Sequence, residues 1–162
     1  MKKNQFILFS LIGMLFLILY SIISFNNRFP YEDYYFTSLN KEMGAIKAMV
    51  YIYNIYSARW SAHTFAFFFS QFYQSNIFLP TFNIITLLVL IISFFILLKR
   101  IVVEILGFNI TTGVVILYSI LFTCGFFLSS YNIGQTWFWY MVNWMYLWSI
   151  IAGNFLLWVL LS

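Results

Sequence analysis

The sequence predicts an all-α, polytopic membrane protein. Of its 162 residues, 64% are hydrophobic and only 7% are charged, whereas soluble domains carry about 25% charged residues. Apolar stretches recur along the chain, each close to the roughly 20 residues that a helix needs to cross a bilayer. A soluble fold could not bury this much apolar surface. We therefore expect a single membrane domain of about four transmembrane helices, with interfacial amphipathic helices in the first outer loop.

The charges indicate the lipid bilayer as the main partner and do not indicate nucleic acid. The formal net charge is +4, but the basic residues stand singly or in pairs near the ends of apolar stretches, where they set membrane topology. Cys124 is the single cysteine and lies within an apolar run. It is typical of a small buried hydrophobic residue, and it excludes an intrachain disulfide or a thiolate metal cluster.

The first predicted span covers residues 6–25, which contain no charge. A cleaved signal peptide is the alternative, but its apolar region would be unusually long, and residues 21–25 offer no small-residue cleavage site. We therefore predict an uncleaved transmembrane helix. Pro30 fixes its own φ and pushes Phe29 towards an extended conformation, so this helix should end before them.

The predicted outer loop, residues 26–75, holds seven of the twelve charged residues. Residues 37–40 supply helix-capping side chains. After them, mainly apolar residues recur at steps of three and four, which predicts an amphipathic helix lying in the membrane interface: Met43, Ile46, Val50, Tyr53, Ser57 and Trp60. Residues 61–74 are rich in Phe and fit either a second interfacial helix or the beginning of the next span.

The remaining predicted spans are residues 76–98, 110–128 and 136–160. The last begins with the aromatic run 137–140, which is typical of a belt at one membrane face. Asn143 and Asn154 share a face of this span, and buried amides of this kind usually join neighbouring helices.

Basic residues also predict the orientation. Lys2 and Lys3 precede the first span, and Lys99 and Arg100 separate the second from the third. Because basic residues accumulate on the cytoplasmic side, we expect a multi-pass protein of the cell membrane with both termini cytoplasmic and residues 26–75 outside.

The outer loop contains the candidate functional residues. Adjacent Glu32 and Asp33 could divide their roles, one ionised as a base or metal ligand and the other protonated; the alternative is two solvated charges. Arg59 and His63 are four residues apart, hence on one helical face, and could bind a phosphate. The alternative for them is a snorkelling arginine and a hydrogen-bonded core histidine. The first three predicted spans contain no charge, which argues against an ion or proton transporter.

The order of these motifs resembles the N-terminal part of bacterial membrane-embedded glycosyltransferases of the C type. Those enzymes often carry an acidic pair after proline in the first outer loop, as in the run 30–36 here, and then a Trp-Ser-Gly-Arg-like motif. The corresponding run 56–60 has Ala58 where glycine is common. The run 135–140 is similar to the aromatic start of a later span in that group.

The resemblance implies hexosyl or pentosyl transfer from a polyprenyl-phosphate-linked sugar donor at the outer membrane face. It makes Asp33 the catalytic base or a metal-site carboxylate, supported by Glu32, with Arg59 and His63 as candidates for binding the donor phosphate. A divalent metal is then a candidate cofactor. Enzymes of this group usually have many more than four spans, so the resemblance also implies a truncated or partial enzyme.

The alternative is a non-enzymatic small polytopic protein that binds a membrane protein partner as an accessory subunit. Its contacts would come from the interfacial helices and the aromatic last span. Charge-neutral changes at Glu32 and Asp33 would then matter little, whereas bulky changes near Gly153 or Asn154 would disrupt association.

Overall fold

The computed structural model describes residues 3–26, 31–55, 67, 77–130, 132–138 and 140–162, and for residues 3, 31–34, 36, 135, 140–142, 144 and 145 it describes the backbone alone. These ranges are predominantly helical and contain no strand, which confirms the all-α prediction for the described part of the chain. The helices are α1 (Lys3–Asn26), α2 (Tyr31–Met43), α3 (Ala45–Ile55), α4 (Phe78–Leu98), α5 (Thr112–Ser129) and α6 (Tyr140–Leu160). Two π-helical stretches accompany them, Lys99–Ile105 after α4 and Gly134–Phe138 before α6.

Three helical segments of the described chain are long and apolar enough to cross a membrane: Asn4–Asn26, Phe78–Ile105 and Thr112–Ser129. They overlap the predicted spans 6–25, 76–98 and 110–128. In the last predicted span, α6 has 21 residues, and its described apolar portion is Tyr146–Leu160. This architecture fits a membrane protein.

Helix α1 exposes large apolar side chains along most of its length, including Leu11, Met14, Leu15, Ile18 and Ile22. Such a surface is unfavourable in water but matches the hydrocarbon chains of lipids. Phe16 and Tyr20 lie on the buried face of the same helix. The helix therefore packs through one narrow face and leaves the rest of its circumference exposed, which fits a membrane protein.

Helix α4 is central, because α1, α5 and α6 all pack against it. The Trp148 indole donates a hydrogen bond to the Thr86 hydroxyl (3.1 Å), and the Asn154 amide donates one to the Ser93 hydroxyl (3.0 Å). Both pairs advance in the same direction along the chain, so α4 and α6 run parallel. Asn154 thus confirms the predicted role of an amide that joins helices.

Helices α1 and α5 also run parallel to each other. A Cβ added at Gly13 would lie 3.1 Å from Ile120 Cγ2, and one turn or more further on, the ring of Tyr20 contacts Phe127 at 5.9 Å between centroids. The absent side chain at Gly13 therefore permits the close approach of these two helices.

The bundle has two different ends. At one end, which we call the Arg100 end, the Arg100 guanidinium donates to the main-chain oxygens of Leu161 and Ser162. Arg100 also forms an ion pair with Glu104 at 2.6 Å. At the opposite end, α1 finishes, α4 and α6 begin, and α2 and α3 form a helical hairpin. We call this the hairpin end.

The hairpin turns at Gly44, and its first helix begins earlier than the sequence predicted. Helix α2 starts at Tyr31 and continues through residues 37–40, so the expectation that those residues cap a later helix is wrong. The interruption comes at Gly44, where φ is +80°. A left-handed residue of this kind ends a helix and is favourable only for glycine.

We predict that Gly44→Ala lowers the free energy of unfolding by about 1 kcal/mol, because the new Cβ is strained at positive φ. The matched control is Gly125→Ala in α5, where an added Cβ meets no atom within 4 Å. Replacing a helical glycine in open space should be neutral or stabilise by up to about 1 kcal/mol. Thermal unfolding in detergent micelles measures both variants, and equal effects would contradict the conformational argument.

Candidate functional site

Glu32 and Asp33 lie in the first turn of α2, at the hairpin end. Helix α1 ends at Asn26 and α2 begins at Tyr31. At 3.8 Å between consecutive Cα atoms, this connection reaches less than about 19 Å. The two carboxylate positions are therefore close to the end of the first membrane-length helix. A helix N-terminus also favours negative charge in its first turn, through the partial positive charge of its free N–H groups.

The hairpin is held against the beginning of α4 by a small apolar cluster. Its buried members are Leu39, Ala48, Ile52, Phe67 and Leu79. The Asn40 amide adds a hydrogen bond to the main-chain oxygen of Phe67 at 3.0 Å. The position of α2, and hence of its first turn, is therefore fixed relative to α4 by packing as well as by the chain connection.

Helix α3 has three distinct faces. Ala48 and Ile52 face the protein and are 0% and 2% exposed. Ile46, Val50 and Tyr53 form an adjacent apolar stripe that is 69%, 49% and 48% exposed. Each of these three is followed directly by a polar residue, Lys47, Tyr51 and Asn54. Because successive helical residues are about 100° apart, these polar residues form a third face next to the exposed stripe.

An aromatic layer crosses the bundle below the hairpin. Tyr20 is 1% exposed, and its ring lies 5.9 Å from Phe127, 5.9 Å from Trp137 and 5.1 Å from Phe138 between centroids. Most of these contacts are edge-to-face, the arrangement that aromatic quadrupoles prefer. We use the name aromatic layer for Phe16, Tyr20, Phe127, Trp137 and Phe138.

Trp137 and Phe138 belong to this core, so their predicted place in a belt at the membrane face is wrong. They are 0% and 5% exposed. Trp137 donates its indole N–H to the Ser130 hydroxyl at 2.9 Å, which removes the need for a position near water. The π-helical stretch Gly134–Phe138 precedes α6 and contains both rings.

Several hydroxyls and amides are buried along the helices. Ser119 and Thr123 donate to main-chain oxygens one turn earlier in α5, both at 2.8 Å. Thr86 and Ser93 receive hydrogen bonds from α6, and Ser93 also donates to the main-chain oxygen of Leu90 at 2.8 Å. We did not predict this polar face from the sequence, although Asn83, Thr86 and Ser93 recur at helical spacing on one face of an otherwise apolar stretch. That spacing was the available signal.

The structure describes the four predicted site residues to different extents. Glu32 and Asp33 are described by their backbone alone, and Arg59 and His63 lie outside the described residues. Among the side chains that are described, no group of three or more His, Cys, Asp and Glu could hold a metal ion. Asp33 remains a candidate metal ligand by its sequence position only.

An apolar groove of about 650 Å³ follows α5 between the end of α4 and the aromatic layer. Its lining includes Leu98, Val102, Tyr118, Phe122 and Gly125. The groove differs in chemistry from the carboxylate positions, because it offers apolar surface suited to lipid tails or a helix and almost no polar groups. It therefore contributes nothing to the candidate catalytic site.

Comparison of the chain with protein-family models, curated proteins and solved structures gave no match.

We predict that Tyr20 acts on stability mainly through its ring. Tyr20→Phe keeps the ring, removes the hydroxyl with its 3.3 Å hydrogen bond to the main-chain oxygen of Asn83, and should cost less than about 1 kcal/mol. Tyr20→Ala also removes the ring contacts and should cost about 3 kcal/mol. Unfolding titrations in mixed micelles compare the two, and similar losses for both would show that the hydroxyl dominates.

Proposed function

We propose that this chain is a membrane-embedded glycosyltransferase, or the N-terminal part of one, which uses a polyprenyl-phosphate-linked sugar at the outer membrane face. The observation that carries the proposal is the position of Glu32 and Asp33 in the first turn of α2, next to the end of a membrane-length helix. A lipid-linked donor keeps its tail in the bilayer and its phosphate at the interface. Carboxylates at the mouth of a span are therefore at the level of the reacting bond.

In the proposed transfer, Asp33 is the base. An acceptor hydroxyl attacks the anomeric carbon of the donor sugar, and its proton passes to the Asp33 carboxylate. The bond between the anomeric carbon and the phosphate oxygen breaks, and polyprenyl phosphate leaves. Arg59 and His63 are the proposed partners of that phosphate, since a guanidinium can bind it through two hydrogen bonds. Glu32 supports Asp33 as the protonated member of the pair, which leaves the single negative charge on Asp33.

The faces of α3 support an interfacial position for the hairpin. Its exposed stripe Ile46, Val50 and Tyr53 is apolar, and the adjacent exposed face is polar. A helix of this kind is stable where one side meets lipid and the other meets water. We propose that α3 lies at the outer interface and, with α2, borders the donor site.

We further propose four transmembrane helices, with α6 as the fourth, and both termini cytoplasmic. The 21 residues of α6 correspond to a length of about 30 Å, enough to cross the hydrocarbon core. Its parallel packing against α4 supports this count. The charges at the Arg100 end, Lys99 and Arg100, support a cytoplasmic position for that end.

We predict that Asp33→Asn abolishes sugar transfer and leaves membrane insertion intact, because the amide cannot accept the proton. The assay is transfer from a pool of polyprenyl-phosphate sugars in membranes that contain equal amounts of each variant. Glu42→Gln is the matched control, since Glu42 is an exposed acid near the other end of α2 and should retain activity.

Transfer that survives in Asp33→Asn would remove this carboxylate from the mechanism. If even the wild-type chain transfers no sugar, the accessory, partner-binding protein becomes the better account. Thermal unfolding of the same variants separates loss of chemistry from loss of the helix, because removing a favourable charge from the first turn of α2 should cost less than about 1 kcal/mol.

For topology, we predict opposite labelling of two single-cysteine variants made in a Cys124→Ser background. Asn54→Cys lies on the polar face of α3, and Asn109→Cys lies in the exposed connection before α5. A membrane-impermeant maleimide should label Asn54→Cys in intact cells and Asn109→Cys only after permeabilisation. The reverse pattern would invert the proposed orientation, and labelling of both in intact cells would contradict the proposed spans.

A further inference from the structure

The amide of Asn83 is buried in the bundle without a hydrogen-bond partner. Asn83 is 0% exposed, and both its Nδ2 and Oδ1 atoms are unpaired, as is Oδ1 of Asn143. Asn143 is also 0% exposed. Leaving a buried polar atom unpaired costs about 1–3 kcal/mol, and buried amides are almost always satisfied by protein or by ordered water.

The two asparagines occupy nearly the same level of the bundle. Thr86 of α4 pairs with Trp148 of the parallel helix α6. Asn83 precedes Thr86 by three residues and Asn143 precedes Trp148 by five, so at 1.5 Å per residue their axial offset is about 3 Å. Both side chains are on buried faces of helices that pack together.

Tyr20 and Trp137 connect these positions. The Tyr20 hydroxyl donates to the main-chain oxygen of Asn83 at 3.3 Å. The Tyr20 ring contacts Trp137, whose main-chain oxygen accepts a 2.7 Å hydrogen bond from Nδ2 of Asn143. This bond uses the donor of Asn143 and leaves its Oδ1 directed elsewhere. The unpaired atoms therefore border the aromatic layer, where α1, α4 and α6 meet.

The unpaired atoms of Asn83 and Asn143 are suited to bind a small neutral molecule. The buried polar side chains that the structure describes around this level, among them Ser24 and Thr86, carry no charge. An ion here would lack a counter-charge, which is costly in an apolar interior. The unpaired atoms comprise one donor amide and two acceptor oxygens. Water both donates and accepts, and a buried water typically makes about three hydrogen bonds.

We propose that Asn83 and Asn143 form an internal water-binding site between α1, α4 and α6. The bound water joins the two amides and adds to the contact that α4 and α6 make through Thr86 with Trp148 and Ser93 with Asn154. Asn83 is five residues inside α4, about 8 Å from its start. The site therefore hydrates the bundle just below the hairpin, and it does not depend on the proposed sugar transfer.

Solution NMR of the protein labelled with ¹⁵N-asparagine in micelles tests this site directly. The side-chain amide protons of Asn83 should show magnetisation transfer from water, and the signal is assigned by its loss in Asn83→Leu or its shift in Asn143→Leu. The Asn154 amide is the internal comparison, because it is buried and donates to Ser93. An Asn83 amide that is as isolated from water as Asn154 would overturn the proposal.

The melting temperature of Asn83→Leu gives an independent test, because a bound water and an unsatisfied amide predict changes of opposite sign. If water satisfies Asn83, Asn83→Leu loses these hydrogen bonds and should lower the melting temperature by about 2–4 °C. If the amide is unsatisfied, the apolar leucine relieves a penalty and should raise the melting temperature. Asn109→Leu, at an exposed position, is the matched control and should change it little. A higher melting temperature for Asn83→Leu alone would overturn the proposal.

Discussion

The packing of α6 on α4 depends on hydrogen bonds between side chains in surroundings that are otherwise apolar. In lipid, an apolar side chain gains little by leaving the surface, because hydrocarbon chains surround it on either side. The Trp148–Thr86 and Asn154–Ser93 hydrogen bonds therefore specify how the two helices pair, which the many Leu, Ile and Phe side chains cannot do. They fix the direction and register of the two helices, and with them the similar level at which Asn83 and Asn143 lie.

The aromatic layer joins α1 and α5 to this pair of helices and so completes the bundle. Tyr20 contributes from α1, Phe127 from the end of α5, and Trp137 from the π-helical stretch before α6. Helix α1 thus shares one set of ring contacts at the hairpin end with two segments that lie more than 100 residues later in the sequence. The Arg100 end is held differently, through hydrogen bonds from one guanidinium to the main chain of Leu161 and Ser162. The bundle is consequently held by aromatic contacts at one end and by hydrogen bonds of a guanidinium at the other.

The difference between the two ends of the bundle makes the hairpin end the candidate site. Helices α2 and α3 rest on the beginning of α4 through the cluster around Leu39 and Ile52, and the exposed apolar stripe of α3 continues that surface outward. Glu32 and Asp33 lie in the first turn of the hairpin. A reaction at these carboxylates would therefore take place beside lipid and next to the packed cluster around Leu39 and Ile52. Such a position suits a donor whose reactive phosphate is attached to a membrane-bound tail, which is why the proposed transferase is the function that this geometry supports best.

The sequence by itself determined the helical class and the approximate ends of the membrane-length helices. These properties depend on local quantities, namely the length of an uncharged apolar run, the break expected near Pro30 and the charges that follow the first two runs. It also placed the functional hypothesis at Glu32 and Asp33, since few other acids are available. Only the tertiary structure decided which faces are buried. The spacing of polar residues in these apolar helices does not show which partner each one meets. The burial of Trp137, the bond from Asn154 to Ser93 and the unpaired amide of Asn83 depend on contacts between different segments of the chain.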